Sequence, residues 1–271
     1  MALAIKALLN FHDYALDNWR DARVDDWPLM SSCWSVVAIV AVYLYIVFNL
    51  GPKFMENRKP FELKWVLIGY NIFQVLYCLV ILVLVCIYVI PHHNVICAAV
   101  DTSTPHGLIA AKLAWAYFLS KIIDLLDTVF FVLRKKDNQI TFLHVYHHAG
   151  MVVLTWIGCR FIPGGSSLNL GILNTFVHAF MYSYYLASVW DKKYARNLWL
   201  KKQITHLQMI QFALVAISYS LVLIGEDCGY PKFICIFIIP QNLFMFYMFG
   251  DFYFKSYIRP LKAAANSKKE D

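Results

Sequence analysis

Charge is what this sequence has least of. Asp, Glu, Lys and Arg make up only 15% of its 271 residues, where soluble domains carry about 25%. With 60% of the residues hydrophobic, a soluble globular domain is excluded. A concentrated basic patch is missing too. The net charge of +7 comes from Lys and Arg dispersed among apolar runs, which points to membrane orientation signals and not to nucleic acid. Seven cysteines are too few for a disulfide scaffold in a chain of this length. Residues 1–11 have no basic start followed by a long apolar core, so no cleavable signal peptide is expected. Low-complexity segments and clear internal repeats are also lacking.

Long apolar runs, by contrast, are plentiful. About 20 apolar residues cross roughly 30 Å of hydrocarbon as a helix. Seven segments meet that length, near 29–50, 64–90, 108–133, 142–161, 168–189, 204–224 and 233–254. The fold class that follows is an all-α polytopic membrane protein with seven transmembrane helices. It divides into an N-terminal segment (1–28), the seven-helix domain (29–254) and a C-terminal tail (255–271).

The connecting segments set the orientation. Loops 51–63, 134–141 and 190–203 are basic, as is the tail with its five basic and two acidic groups. Loops 91–107 and 162–167 have no Lys or Arg, and 225–232 has one Lys and two acids. Basic and non-basic loops alternate through an odd number of crossings, which puts the C-terminus in the cytosol and the N-terminus across the membrane. Cys97 and Cys228 then both fall in non-cytosolic loops, where disulfides survive, and a bridge between them is expected. Lys268 and Lys269 stand fourth and third from a cytosolic end. That is the dilysine pattern of retrieval to the endoplasmic reticulum, a receptor-read address.

Polar residues inside a membrane are costly and usually functional. Here they collect at one depth. Lys121, Asp124, Asp127 and Thr128 share a face by their spacing of three and four. His144, His147 and His148 form an H-x-x-H-H box in the first two turns of the fourth span. Asn174, His178, Tyr182 and Tyr185 line one face of the fifth, and Gln208 and Gln211 follow in the sixth. Most fall in the cytosolic half. Asn71 and Gln74 join them by depth, as helix–helix hydrogen-bonding groups or as part of the site. Lys121 and Asp124 are spaced to pair with each other. His206 is expected at the headgroups, and His92, His93 and His106 at the non-cytosolic surface. A basic rim at the cytosolic mouth includes Arg134, Lys135, Lys201, Lys202, Lys255 and Arg259. A buried site with such a rim suits an amphiphile with an apolar tail and a polyanionic head, such as a long-chain acyl-CoA.

In that light the chain resembles the very-long-chain fatty acid elongases over nearly its whole length. Asp26-Trp27-Pro28-Leu29-Met30-Ser31-Ser32, Leu50-Gly51-Pro52-Lys53 and Asn57-Arg58-Lys59-Pro60-Phe61 match the family's early blocks. Lys121, Asp124, Asp127 and Thr128 match K-x-x-[ED]-x-x-D-T, with Asp124 where Glu is common. Phe142 to His148 carry the histidine box. Asn174, His178, Met181, Tyr182, Tyr184 and Tyr185 match N-x-x-x-H-x-x-M-Y-x-Y-Y, and Thr205, Gln208 and Gln211 match T-x-x-Q-x-x-Q.

The resemblance implies six helices enclosing a narrow acyl tunnel open to the cytosol. It implies a 3-ketoacyl-CoA synthase of the endoplasmic reticulum membrane. Long-chain acyl-CoA and malonyl-CoA would condense to 3-ketoacyl-CoA, carbon dioxide and CoA, with no cofactor and no metal. A homodimer and the other elongation-cycle enzymes (ketoacyl-CoA reductase, dehydratase, enoyl-CoA reductase) are the expected partners. No cysteine is placed to act as the thiolate of soluble condensing enzymes: Cys159 lies eleven residues beyond His148, about 16 Å along a helix. A histidine nucleophile is left, and imidazole, with a reference pKa near 6.5, is substantially neutral at pH 7. His147 is assigned to carry the acyl group. His144, His148 and His178 would orient it, move protons or stabilise the oxyanion, Asp124 and Asp127 would fix tautomers, and Lys121 would meet a substrate carbonyl or carboxylate. Asn174, Tyr182, Tyr185, Gln208, Gln211 and the basic rim are the expected substrate contacts. Two alternatives stand beside this reading: a histidine-box di-iron desaturase or hydroxylase, which needs about eight histidines where the cytosolic half offers five, and a seven-span receptor or transporter without enzymatic activity.

Overall fold

The computed structural model describes Tyr14 and residues 19–259. Lys268 and Lys269 lie outside the described residues, as does His12. Among the described residues there are helices and no strand. Among them are α1 (Cys33–Met55), α2 (Lys64–Tyr88), α3 (Pro105–Asp124), the short α4 (Leu126–Leu133), α5 (Phe142–Phe161), α6 (Ser167–Trp190), the five-residue α7 (Lys192–Arg196), α8 (Leu198–Ile224) and α9 (Cys235–Tyr253). Among the described residues four helical stretches are long and apolar enough to cross a membrane: α1, α2 with its extension to His92, α8, and α9 with its flanking turns over Lys232–Ile258. The protein is therefore an all-helical membrane protein. α3 to α6 carry the polar residues that lower their hydropathy.

Local chemistry sets the helix ends. Thr104 accepts a hydrogen bond from the Gly107 amide at 3.2 Å and Pro105 opens the first turn of α3, the favoured pairing of a hydroxyl cap with proline. Thr141 accepts from the His144 amide at 3.2 Å, so the histidine box begins in the first turn of α5. Asp191 and Asn197 cap α7 and α8 by accepting from Lys193 and Leu200. The Asn197 cap starts α8 six residues before the expected 204, because the polar turns ahead of the apolar run have a cap of their own. α1 runs past the expected 50: a π-turn over Ile46–Leu50 leads into Gly51–Met55, with Pro52 in its first turn. The expected 108–133 span breaks at Leu125, between α3 and α4.

The helices follow a closed order. α5 packs on α3, α3 on α2, α2 on α6, α6 on α8 and α8 on α9. α9 returns to α5 through the Tyr146 hydroxyl, which donates to Gln241 Oε1 at 2.7 Å, and through the Tyr146–Phe244 ring pair at 5.6 Å. α1 lies outside this order, against α4 and α5. Its Val36, Tyr43 and Val47 share a buried cluster with Phe118, Val152 and Trp156. Outward faces are apolar, as Trp65 (73% exposed) and Ile224 (78%) illustrate, which suits hydrocarbon and not water.

One end of the bundle is tied together. Cys97 and Cys228 form a disulfide with Cα atoms 6.0 Å apart. The Ser166 amide donates to the Ala98 carbonyl at 2.9 Å. Beside it Gly165 adopts φ +53°, and a Cβ there would stand 2.5 Å from Ala98 O, so this crossing requires glycine. Residues 19–30 strap the same end. The Asp21 amide donates to Arg160 O at 3.0 Å, Asp25 pairs with Arg160 at 2.5 Å, and the Trp156 indole donates to Leu29 O at 2.8 Å. His93, expected at the surface, is half-buried at this end, 2.7 Å from Asn169 Oδ1. His92 and His106 are exposed and stack on each other. The C-terminal side of α9, with Lys255 and Arg259, lies at the opposite end.

Candidate active site

α3 places Lys121 and Asp124 on its inward face, one turn apart, and their ion pair closes at 2.8 Å with side chains only 3% and 4% exposed. Buried charges of this kind persist only when their other hydrogen-bonding capacity is met, and here it is. Gln74 of α2 and Tyr182 of α6 donate to Asp124 Oδ1 at 2.7 and 2.9 Å. Lys121 also donates to Asn174 Oδ1 at 3.0 Å and stands 3.4 Å from His178 Nδ1. Tyr117, one turn before Lys121, donates to the same Asn174 oxygen at 2.8 Å. The Asn174 amide nitrogen donates to Gln211 Oε1 of α8 at 3.4 Å. Four helices thus meet in one polar network.

The histidines complete it. His147, His148 and His178 join Lys121, Asp124 and Met151 around a cavity of about 10 Å³, space for about one water molecule. A second cavity of about 30 Å³ is lined by His147, Met151, Leu154, Asn174, Gln211 and neighbours from α5, α6, α8 and α9. His147 and Met151 line both. The three box histidines do share a face: ring centroids of His144 and His148 are 4.2 Å apart, and those of His147 and His148 are 5.8 Å apart. His144, however, stands behind His148, away from both cavities, with Nε2 2.9 Å from Thr128 Oγ1. The second cavity opens toward Leu154, Leu170 and Ile238, in the direction of the disulfide end.

The other expected site residues separate by position. Asn174 and Gln211 line the second cavity beside His147. Tyr182 is fully buried, its hydroxyl 2.9 Å from both Asp124 and Asp127. Asp127 therefore meets a tyrosine and not an imidazole. Asp124 Oδ2 approaches His178 Nδ1 at 3.5 Å. Tyr185 packs on Tyr182 and Tyr184, and Gln208 points its amide at Met181 Sδ, 3.6 Å away. Among the basic residues, Lys135 donates to Glu56 O and Lys255 pairs with Asp251. Arg134, Lys201 and Lys202 are half-buried and Arg259 is exposed. All lie at the end away from the disulfide. His206 stacks on Tyr253 at 4.7 Å. Gln74, which the sequence left between a helix–helix hydrogen-bonding role and the site, donates into the network; Tyr117 and Met151 were not expected among the site residues. Tyr117 was findable, being four residues before Lys121 and so on its face. Among the described residues no group of three or more His, Cys, Asp or Glu is arranged to hold a metal ion.

The GNS1/SUR4 (ELO) family model matches residues 28–265. A very long chain fatty acid elongase of Aedes aegypti is 40% identical over 99% of this chain and 76% of its own. Very long chain fatty acid elongase 7 of Drosophila melanogaster is 43% identical over 90% of this chain and 75% of its own. Human very long chain fatty acid elongase 4 is 41% identical over 90% and 78%. The buried site belongs to a membrane enzyme of fatty acid elongation. The chain is a member of the GNS1/SUR4 family, the very long chain fatty acid elongases.

Proposed function

We propose that the protein is a very-long-chain 3-oxoacyl-CoA synthase that condenses long-chain acyl-CoA with malonyl-CoA through an acyl-imidazole on His147. The observation that carries the reading is the position of His147. It lines both the polar cavity with His178, Lys121 and Asp124 and the more apolar cavity leading toward Leu154 and Ile238, and no cysteine lines either. A reacting carbonyl belongs at such a junction, with its tail in the apolar space and its developing charge among donors.

In the first step a ring nitrogen of His147 attacks the thioester carbonyl. The N–C bond forms, the C–S bond breaks, and CoA leaves as a thiolate that takes up the imidazole proton. In the second step malonyl-CoA loses carbon dioxide by cleavage of its C–C bond, giving an enolate. The enolate carbon attacks the acyl carbon, a C–C bond forms, the N–C bond breaks, and the departing ring nitrogen takes up one proton from solvent, which restores His147. Lys121 and the amides of Asn174 and Gln211 supply the positive charge and donors for the oxyanions. His148 and His178 flank the reacting ring. No cofactor enters the scheme.

The same reading takes all seven long segments (α3 with α4 as one) as spans. The closed order from α2 to α9 forms the wall of an acyl tunnel, with the disulfide end lumenal and the basic end cytosolic. There Arg134, Lys135, Lys201, Lys202, Lys255 and Arg259 face the phosphates of CoA. Residence is in the endoplasmic reticulum, beside the reductases and dehydratase of the cycle. Intact-protein mass spectrometry after incubation with long-chain acyl-CoA tests the covalent step: a mass gain of one acyl group is expected in the wild type and none in His147→Ala. Labelled malonyl-CoA should enter product at least ~100-fold more slowly in that variant. A His147→Ala protein that still accumulates acyl-enzyme overturns the assignment.

A further inference from the structure

α1 stands outside the helix order that surrounds the site, yet one of its side chains reaches in. Tyr43 is buried, 3% exposed, and its hydroxyl lies 2.9 Å from Thr128 Oγ1 of α4. Thr128 is fully buried and lies 2.9 Å from His144 Nε2 of α5. Threonines inside helices ordinarily bond back to the carbonyl four residues earlier. Thr155, Thr175 and Thr205 do so here, to Met151, Gly171 and Lys201. Thr128 alone among the described intrahelical threonines turns sideways, to bridge two other helices.

The approach of α1 to α4 is close. A Cβ on Gly51 would stand 2.6 Å from Val132 Cγ1 of α4, so glycine there lets the α1 backbone settle against the segment that carries Thr128. We propose that Tyr43 is a positioning residue of the condensation site, acting through Thr128 and His144 on His148. A phenol is the most acidic of the three groups, so Tyr43 donates to Thr128 and Thr128 passes its single proton to His144 Nε2. His144 is thereby held with Nε2 as acceptor and its ring proton on Nδ1. Its ring sits between Phe131 at 5.2 Å and His148 at 4.2 Å, and His148 is a wall of the cavity that holds His147 and His178. Displacing a reacting group by about 1 Å costs on the order of 100-fold in rate.

The catalytic part of this inference rests on the condensation reading above; the hydrogen-bond chain does not, so two readouts are needed. The first is nitrogen-15 histidine NMR of the full-length protein in nanodiscs, with His144→Gln to assign the signal. We expect an unprotonated, hydrogen-bonded Nε2 at His144 in the wild type, lost in Thr128→Val and restored in Thr128→Ser. An unchanged His144 signal in Thr128→Val overturns the chain. The second is turnover of acyl-CoA with malonyl-CoA. Tyr43→Phe, which keeps the ring and its packing, should lower kcat about 10-fold or more with KM for acyl-CoA within about twofold. The double variant Tyr43→Phe/Thr128→Val should be no slower than Thr128→Val alone, since both cut one chain. Additive losses, or full kcat in Tyr43→Phe, overturn the positioning role. Absence of any turnover in the wild type would count against the condensation reading and leave the NMR outcome to decide the chain.

Discussion

The polar centre and the disulfide end of the bundle are both held firmly, but by opposite means. At the disulfide end the ties are many and independent: the Cys97–Cys228 bridge, the Ser166 amide on Ala98, the Trp156 indole on Leu29, the Asp21 amide on Arg160. At the centre every tie shares a partner with another. Lys121, Gln74, Tyr182 and His178 all converge on Asp124, and Lys121 and Tyr117 both use Asn174 Oδ1. Redundant contacts tolerate the loss of one member. A converging network does not, because removing its hub leaves a buried charge without a counter-charge.

The sharpest way to break this contrast is Asp124→Asn. It strands the Lys121 ammonium at 3% exposure and should cost roughly 3–5 kcal/mol, read as thermal unfolding in detergent together with lost turnover. A fully stable and active variant would mean that the network is not organised on that carboxylate. Next comes Cys97→Ser with Cys228→Ser. The bridge spans 131 residues of sequence, and its removal should cost roughly 2–5 kcal/mol. Turnover per folded molecule should stay near wild type, because the bridge touches neither cavity; a selective loss of turnover would join the two regions that this contrast separates.

The smallest effect is expected at Asp101. The Thr104 hydroxyl and then the Ser103 amide donate to its carboxylate and hold its pKa down to about 2, below its ordinary 3.8. A carboxylate depressed in the folded state stabilises above its unfolded pKa and loses that contribution as pH falls through the folded one. Asp101→Asn should therefore destabilise by about 1 kcal/mol or less at pH 7, given solvent screening. The gap should close as the pH of the unfolding measurement drops toward 2. A gap that persists there would assign the effect to shape rather than charge.

Much of this was legible in the chain itself, and the reason is periodicity. Spacing of three and four put Lys121 with Asp124, and His144 with His147 and His148, on single faces, and both faces turned inward together. Helix limits were legible where apolar runs ended at a cap, as at Thr141 before Phe142. Elsewhere they were hidden by polar first turns, as at Asn197, or by a break between two apolar residues, as at Leu125. Periodicity names a face but not the helix it meets. So the contact of Tyr43 with Thr128, 85 residues away, had no signal in the sequence. His144 looked equivalent to its neighbours until Thr128 claimed its Nε2. The strap at residues 19–30 was also hidden, because ties such as the Asp21 amide on Arg160 O and the Trp156 indole on Leu29 O use a backbone group that every sequence possesses, although the Asp25–Arg160 pair joins two side chains.

The three donors that meet Asp124 have a consequence for who may handle protons. A carboxylate offers about four lone-pair positions. Gln74 and Tyr182 occupy both on Oδ1, and the Lys121 ammonium takes one on Oδ2. One acceptor position is left, facing His178 at 3.5 Å. Asp124 is thus a counter-ion with a single acceptor position left, and His178 is the group beside it. In the condensation proposed above, proton traffic would fall to His147, His148 and His178, the imidazoles that line this cavity.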